Sequence, residues 1–367
     1  MDNLFAMTIV GSAIVGFVLL FRFMTVKIIP AKWQYRIGKI AIVFFLIPFS
    51  LLFRIFSFSQ PTIQKLILSG DVTNVDSMNV LMKVYFNDGI MKTFFFIWII
   101  GAMIFALWQI YCYNRFISHI QTDSIPVSKD SEAAILLSLC KAKLDIRGEV
   151  KLMQNNKIIS PMLVGLFQPT ILLPSLNIQK NNLKLIFFHE LTHLKQKDLW
   201  VKMLALIAGM LHWFNPSVHL LRKDISIWGE LACDEYLTSE MSFEERKLYG
   251  EVILNTLEVQ SSINVTFCSS LCENKADIKR RLNMLLKVKK AKYHIAVFSA
   301  TTILIIGGIG LAISAYTAKN TSELQAYESY ADSNKTINIK NILLVQSENV
   351  VVGDVNDHQH TPQQRLK

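Results

Sequence analysis

The sequence predicts an α-helical, multi-pass membrane protein with four transmembrane helices and a soluble α+β domain inserted ahead of the fourth. Three observations carry this reading. Hydrophobic residues make up 51% of the 367, and the mean hydropathy is +0.34, both high for a soluble protein. That excess is gathered in long uncharged runs, with basic residues at their borders. Between the third and fourth runs lies a stretch of ordinary polarity, about 180 residues, enough for one domain.

The first run covers about 4–24. Only Asp2 and Asn3 precede it, with no basic leader region and no convincing small-residue cleavage site, so it reads as a retained transmembrane helix rather than a signal peptide. Arg22, Lys27, Lys32, Arg36 and Lys39 follow without an acid. By the positive-inside rule they are cytoplasmic, which places the N-terminus outside. A second span is expected over 37–57, with Lys39 and Arg54 near enough to its ends to snorkel. Residues 58–92 balance lysine against aspartate and read as an external loop. The third span, 93–114, is uncharged and ends on Tyr111 and Tyr113 as interface anchors. A membrane domain of 1–114 is therefore followed by a cytoplasmic domain of 115–293.

Within that domain, 131–141 looks helical, and 149–153, 162–167 and 170–173 read as short strands punctuated by prolines. Pro161 and Pro169 suit an edge strand, which could hold an extended peptide by main-chain hydrogen bonds. A helix is expected over 183–197, capped by Asn181 or Asn182. It carries His189-Glu190-Leu191-Thr192-His193. Positions i and i+4 share a helix face, so His189 and His193 can offer two imidazoles to one metal ion while Glu190 points to whatever is bound beside it. A catalytic zinc ion keeps three protein ligands and leaves one position for a water, whose pKa falls to about 7. Glu190 would be the general base. The best third ligand is Glu230, since Asp234, one turn later on the same face, could orient a ligand histidine. One zinc ion per chain is implied. The bland alternative, two histidines and an acid on a solvated helix, accounts less well for the paired pattern. Cys233 is also within reach as a ligand, but a small buried apolar role fits it better.

Residues 199–214 form an apolar helix, short for a full span, that is either buried in the domain or dips into the bilayer. Asn215-Pro216 breaks the chain before a helix over 217–237. His219 and Arg222 on it are surface residues or oxyanion donors. Ser242 with Glu245 makes a capping box for a helix over 243–257. The basic block from Lys279 to Lys292 abuts a fourth span, 294–316, and reads as an anchor on anionic lipid rather than a nucleic-acid site. Arg280-Arg281 is a conceivable exposed cut site. The tail, 317–367, is polar and external. The five cysteines form no CxxC pair and read as free thiols in a reducing compartment.

His189-Glu190-Leu191-Thr192-His193 followed by Asp198, His212-Trp213-Phe214-Asn215-Pro216, Glu230-Leu231-Ala232-Cys233-Asp234-Glu235, and Ile171-Leu172-Leu173-Pro174 together give the chain a family resemblance. It resembles the BlaR/MecR-type antirepressors, membrane zinc metallopeptidases that act as β-lactam-responsive signal transducers in Gram-positive bacteria. The resemblance implies a zincin domain of gluzincin type, His189, His193 and Glu230 as metal ligands, Glu190 as base and Asp234 behind the ligands. It also implies cleavage of the protein itself or of a BlaI/MecI-type repressor after an external signal. Sensor-bearing members of that family end in a penicillin-binding domain with a Ser-x-x-Lys nucleophile, and no such motif follows Ala318. Two other functions fit the same motifs: a membrane quality-control zinc protease, and a catalytically idle receptor. The expected partners are a peptide or protein substrate and the lipid bilayer, with no direct nucleic-acid contact.

Overall fold

A computed structural model describes residues 2–26, 28–49, 51–52, 88–158, 160–175, 178–261, 275–286, 301–305, 307–312 and 314–316. Most of the expected external loop (58–87), the tail, Cys268, Cys272 and the start of the fourth span lie outside those residues, while the loop's last residues, 88–92, are helical. The chain begins with helix α1, Asp2–Thr25. Helix α2 runs Ala31–Leu46 and differs from the expected span of 37–57: it starts earlier and stops at an extended Ile47. Pro48 explains the stop, because it lacks the N–H for helical bonding and disfavours helical geometry in the residue before it. Helix α3, Asp88–Thr122, is longer than expected, and its apolar length from Lys92 to Ser118 is exposed or half-buried with no fully buried residue. Two stretches, Leu4–Thr25 and Lys92–Ser118, are long and apolar enough to cross a membrane. Helical residues between Thr301 and Tyr316 form a shorter apolar segment.

The small sheet has the order β1-β2-β4-β3. Its strands are β1 (Ser124–Pro126), β2 (Lys151–Asn155), β3 (Met162–Val164) and β4 (Thr170–Pro174). β2 and β4 are parallel, with Lys151 opposite Thr170, while β1 and β3 flank them antiparallel. β1 was not legible as a strand because it is only three residues long and ends in proline. β3 ends earlier than expected because Gly165, at φ +88°, turns the chain; a Cβ there would meet the Gln168 carbonyl at 2.3 Å. The helices that follow the sequence reading are α4 (Glu132–Lys143), α5 (Lys180–Gln196), α6 (Asp198–Leu211), α7 (Pro216–Thr238) and α8 (Phe243–Ser261); α9 (Lys275–Leu286) is not among the expected helices and takes in the first part of the basic block. Ser131 caps α4, and Asn215 caps α7 by accepting from the Ser217 N–H. The Ser242 and Glu245 box closes as expected, each accepting from the other's backbone N–H. α5 instead begins three residues before the expected start, after Gln179, with no side-chain cap.

Packing crosses the sequence boundary at 114. Val10, Ile14 and Val18 of α1, Ile37, Ala41 and Phe45 of α2, Ala205 and Ala208 of α6, and Leu221, Ile225 and Trp228 of α7 form one apolar core. Polar contacts tighten it. His212 bridges Thr8 Oγ1 (2.9 Å) and the Phe45 carbonyl (3.0 Å), and Asn215 donates to Ser12 Oγ at 2.8 Å. Arg22, counted above among the cytoplasmic charges, is buried and paired with Asp224 of α7. Lys39, expected to snorkel, lies over the Tyr35 ring and donates to the Gln196 carbonyl. α3 joins α6 where Trp98 Nε1 donates to the Leu211 carbonyl; Gly101 there lets Trp213 lie against the α3 backbone, since a Cβ would come within 2.3 Å of the indole. A second core unites α4, the sheet and α5 around Leu137, Ile171 and Phe187. A third holds α9 through Leu285 against Tyr249 and Ile253 of α8.

Candidate metal centre

α5 and α7 build the site between them. On α5 the i, i+4 spacing brings His189 and His193 together with Nε2 atoms 3.1 Å apart and rings nearly perpendicular. From α7, Glu230 places Oε2 3.4 Å from each of those nitrogens. Three donor atoms thus form a near-regular triangle. A tetrahedral zinc ion with bonds of about 2.0–2.2 Å has ligand-to-ligand edges of about 3.3–3.6 Å, so the spacing suits such an ion. Glu190, between the histidines, is buried.

The rear nitrogens of both rings are anchored. His193 Nδ1 meets Asp198 Oδ2 at 2.6 Å, and Asp198, only 1% exposed, also accepts from the Tyr35 hydroxyl at 2.7 Å. Lys197 makes this possible. It adopts the left-handed conformation (φ 58°) between α5 and α6, which turns Asp198 back towards His193 at the cost of strain for a non-glycine residue. His189 Nδ1 lies 2.8 Å from the Tyr249 hydroxyl of α8, which donates to Asp234 Oδ1 at 2.7 Å. Asp234 itself stands 3.5 Å from Nδ1, so it reaches His189 through Tyr249 rather than directly. Arg281 of α9 grips Asp234 with two hydrogen bonds, Nε to Oδ2 at 2.7 Å and Nη2 to Oδ1 at 2.9 Å. Arg281 Nη1 and Lys202 Nζ each lie 3.7 Å from a Glu230 oxygen.

Electrostatics follow from this crowding. Burial by itself lowers the pKa of His189, but the Cys233 sulfur and Glu230 outweigh it and push it up to about 10. His193 is raised well above the usual imidazole range in the same way, against burial, by Cys233, Glu230 and Asp198. Glu230 is held well below the carboxylate range by His193, His189 and Lys202 despite burial. Burial and then Asp234 raise the Tyr249 phenol, which keeps its proton.

His189, His193 and Glu230 therefore meet, with Asp234 behind them. The Cys233 sulfur also lies within 4.8 Å of the histidine donor atoms. It approaches the Nδ1 side of His189, at 3.7 Å, and the residue's carbonyl, at 3.4 Å. Glu230, facing both Nε2 atoms, shares the side where the imidazoles converge. His219 does not join the centre: its Nε2 bonds the Trp213 carbonyl and its ring faces Phe105. Arg222 lies against Gly209 of α6. Arg281 is not the exposed cut site that the sequence suggested; it is 8% exposed and part of the centre. Sequence reasoning gave no role to Tyr35, Lys202 and Tyr249, and gave Asp198 none beyond its place in a motif. A signal existed for Tyr249, and for the role of Arg281. Arg281 shares its helix stripe with Ile278, Leu282 and Leu285, and Tyr249 with Val252 and Ile253, so both are polar groups at core positions.

A family profile described as BlaR1 peptidase M56 matches residues 2–285. The regulatory protein BlaR1 of Bacillus licheniformis is 27% identical over 224 residues, covering 60% of this chain and 37% of that protein. The methicillin resistance mecR1 protein of Staphylococcus aureus is 26% identical over 194 residues, covering 52% of this chain and 32% of its own length. The chain thus spans about a third of the length of these curated relatives.

Proposed function

The chain belongs to the BlaR1 peptidase M56 family, and from that premise we propose that it is a membrane-anchored zinc endopeptidase of the antirepressor type. In this reading it hydrolyses peptide bonds in itself, in a BlaI/MecI-type cytoplasmic repressor, or in both, in answer to an external signal. The observation that carries the proposal is the triangle of His189, His193 and Glu230 donors, each imidazole fixed from behind by a buried acid or by a phenol held on one. These three residues would hold the metal. A bound zinc ion would supply Lewis acidity at the site of attack. Glu190 takes the proton of the attacking water and returns it to the leaving amine. Asp198, and Asp234 through Tyr249, keep the Nδ1 protons of the two rings in place, so that each Nε2 presents its lone pair. The edge strand β3 pairs with an extended substrate beside α5.

The fold assigned with this function is a gluzincin-like domain, 115–293, facing the cytoplasm, after spans near 4–24 and 93–114 and ahead of one near 294–316, with α2 (Ala31–Leu46) as the second span in place of 37–57 and with both termini outside. Supporting a site close to the bilayer, α6 buries one apolar face in the protein and exposes Trp200, Leu204 and Ile207 on the other, next to α3. Phe167, at the β3–β4 turn and 82% exposed, packs edge-on against Trp200.

The test is zinc content together with fragment formation in membranes carrying the native chain or Glu190→Gln. Both should hold about one zinc per chain, and only the native chain should be processed. Identical fragments from the two would remove Glu190 as the base and favour the idle-receptor function.

A further inference from the structure

We propose that Arg281 is a positioning residue for the metal centre: from α9 it fixes Asp234, and through Asp234 and Tyr249 it sets the His189 ring, so that the centre is complete only with α9 docked. The inference rests on the metallopeptidase reading and adds a part to it. Asp234 is 2% exposed, and a buried carboxylate keeps its place only if its oxygens are satisfied. Arg281 satisfies both, through the planar fork that matches a carboxylate edge to edge. The Tyr249 hydroxyl has one proton. With Asp234 held still, that proton is committed to Oδ1, and the phenol oxygen must accept from His189 Nδ1. In the neutral ring that a metal takes, Nδ1 therefore carries the proton, and Nε2 is left with its lone pair on the side of His193 and Glu230.

Remove the fork and Asp234 loses its fixed orientation. Tyr249 can then rotate its proton onto Nδ1, which transfers the imidazole proton to Nε2, the atom a metal needs. α9 is docked independently of this contact, by Leu285 and Leu282 against Tyr249 and its neighbours, so Arg281 variants retain the helix packing. Displacement of α9 along α7 would act on His189 by the same route, which gives the segment leading to the last apolar stretch a direct hold on the centre.

The experiment uses the full chain in detergent: native, Arg281→Gln, Arg281→Lys, Tyr249→Phe and the double variant Arg281→Gln/Tyr249→Phe. Zinc affinity is read by chelator competition, ligand geometry by the visible spectrum of the cobalt-loaded chain, and folding by thermal melts. Arg281→Gln and Arg281→Lys should bind zinc about ten-fold or more weakly and show a changed cobalt spectrum with a cooperative melt. The double variant should be no weaker than the poorer single one, because both changes cut one chain of contacts. Native affinity and an unchanged spectrum in Arg281→Lys would overturn the proposal, as would fully additive losses in the double variant. Should Arg281→Gln fail to fold, Arg281→Lys and Tyr249→Phe decide it: matching losses support the relay, and a loss in one alone refutes it. A native chain that binds no zinc would sink the metallopeptidase reading itself, and this inference with it.

Discussion

Asp198→Asn isolates one support of the centre. The native carboxylate receives two donors, His193 Nδ1 at 2.6 Å and the Tyr35 hydroxyl at 2.7 Å, in a site only 1% exposed. Asparagine keeps the shape but offers one oxygen and one NH₂. With the oxygen towards Tyr35, the amide donates to Nδ1 and forces the imidazole proton onto Nε2, where it blocks metal binding. With the oxygen towards His193, the tautomer survives, but the neutral amide gives the ring a weaker hydrogen bond than the carboxylate. Either arrangement weakens the ligand. Loss of such a partner costs about 10- to 100-fold in metal affinity, or about 1.4–2.8 kcal/mol. Chelator competition on the solubilised chain measures it, with a thermal melt of the metal-free chain as the folding control. Zinc affinity within about two-fold of native in a folded Asp198→Asn chain would refute the assignment of Nε2 of His193 as a donor fixed by Asp198.

Other outcomes follow from the same geometry. Cys233→Ala should retain about one zinc per chain while Glu230→Gln loses affinity, as metal analysis of the two would show; the reverse result would move the third ligand to Cys233. The metal-free chain should have a pH-dependent stability. His189, raised to about 10 from an unfolded value near 6.5, contributes stability that is fully present below pH about 6.5 and is lost as pH rises towards 10. Glu230 is depressed, so its contribution is lost as pH falls through the acid range. Melts from pH 5 to 10 should therefore decline at the alkaline end, and bound zinc should flatten that decline; zinc loading at pH 7 should release protons from the two imidazoles. Thr8→Val deprives the buried His212 Nδ1 of its partner and should lower stability by about 1–3 kcal/mol without changing zinc content, measured by melt and metal analysis side by side.

The sequence by itself determined the features that depend on short spacing. Two histidines four apart share a helix face whatever surrounds them, a run of uncharged residues is apolar wherever it lies, and Ser242 with Glu245 caps a helix within one turn. Glu230 with Asp234 belongs to this class as well, since their own spacing singled them out as a pair on one face. What tertiary structure decided is which distant polar groups complete the centre. Tyr35 reaches Asp198 across 163 positions, Tyr249 reaches His189 across 60, and Arg281 reaches Asp234 across 47. Each looks like one more polar residue on a helix until packing fixes the neighbouring face. The same holds for α1 and α2, whose apolar character marks them for burial but does not distinguish lipid from the faces of α6 and α7. Hydrophobicity is non-directional, so only the packed arrangement of helices selects the partner, and with it the hydrogen bonds that a buried polar group must find.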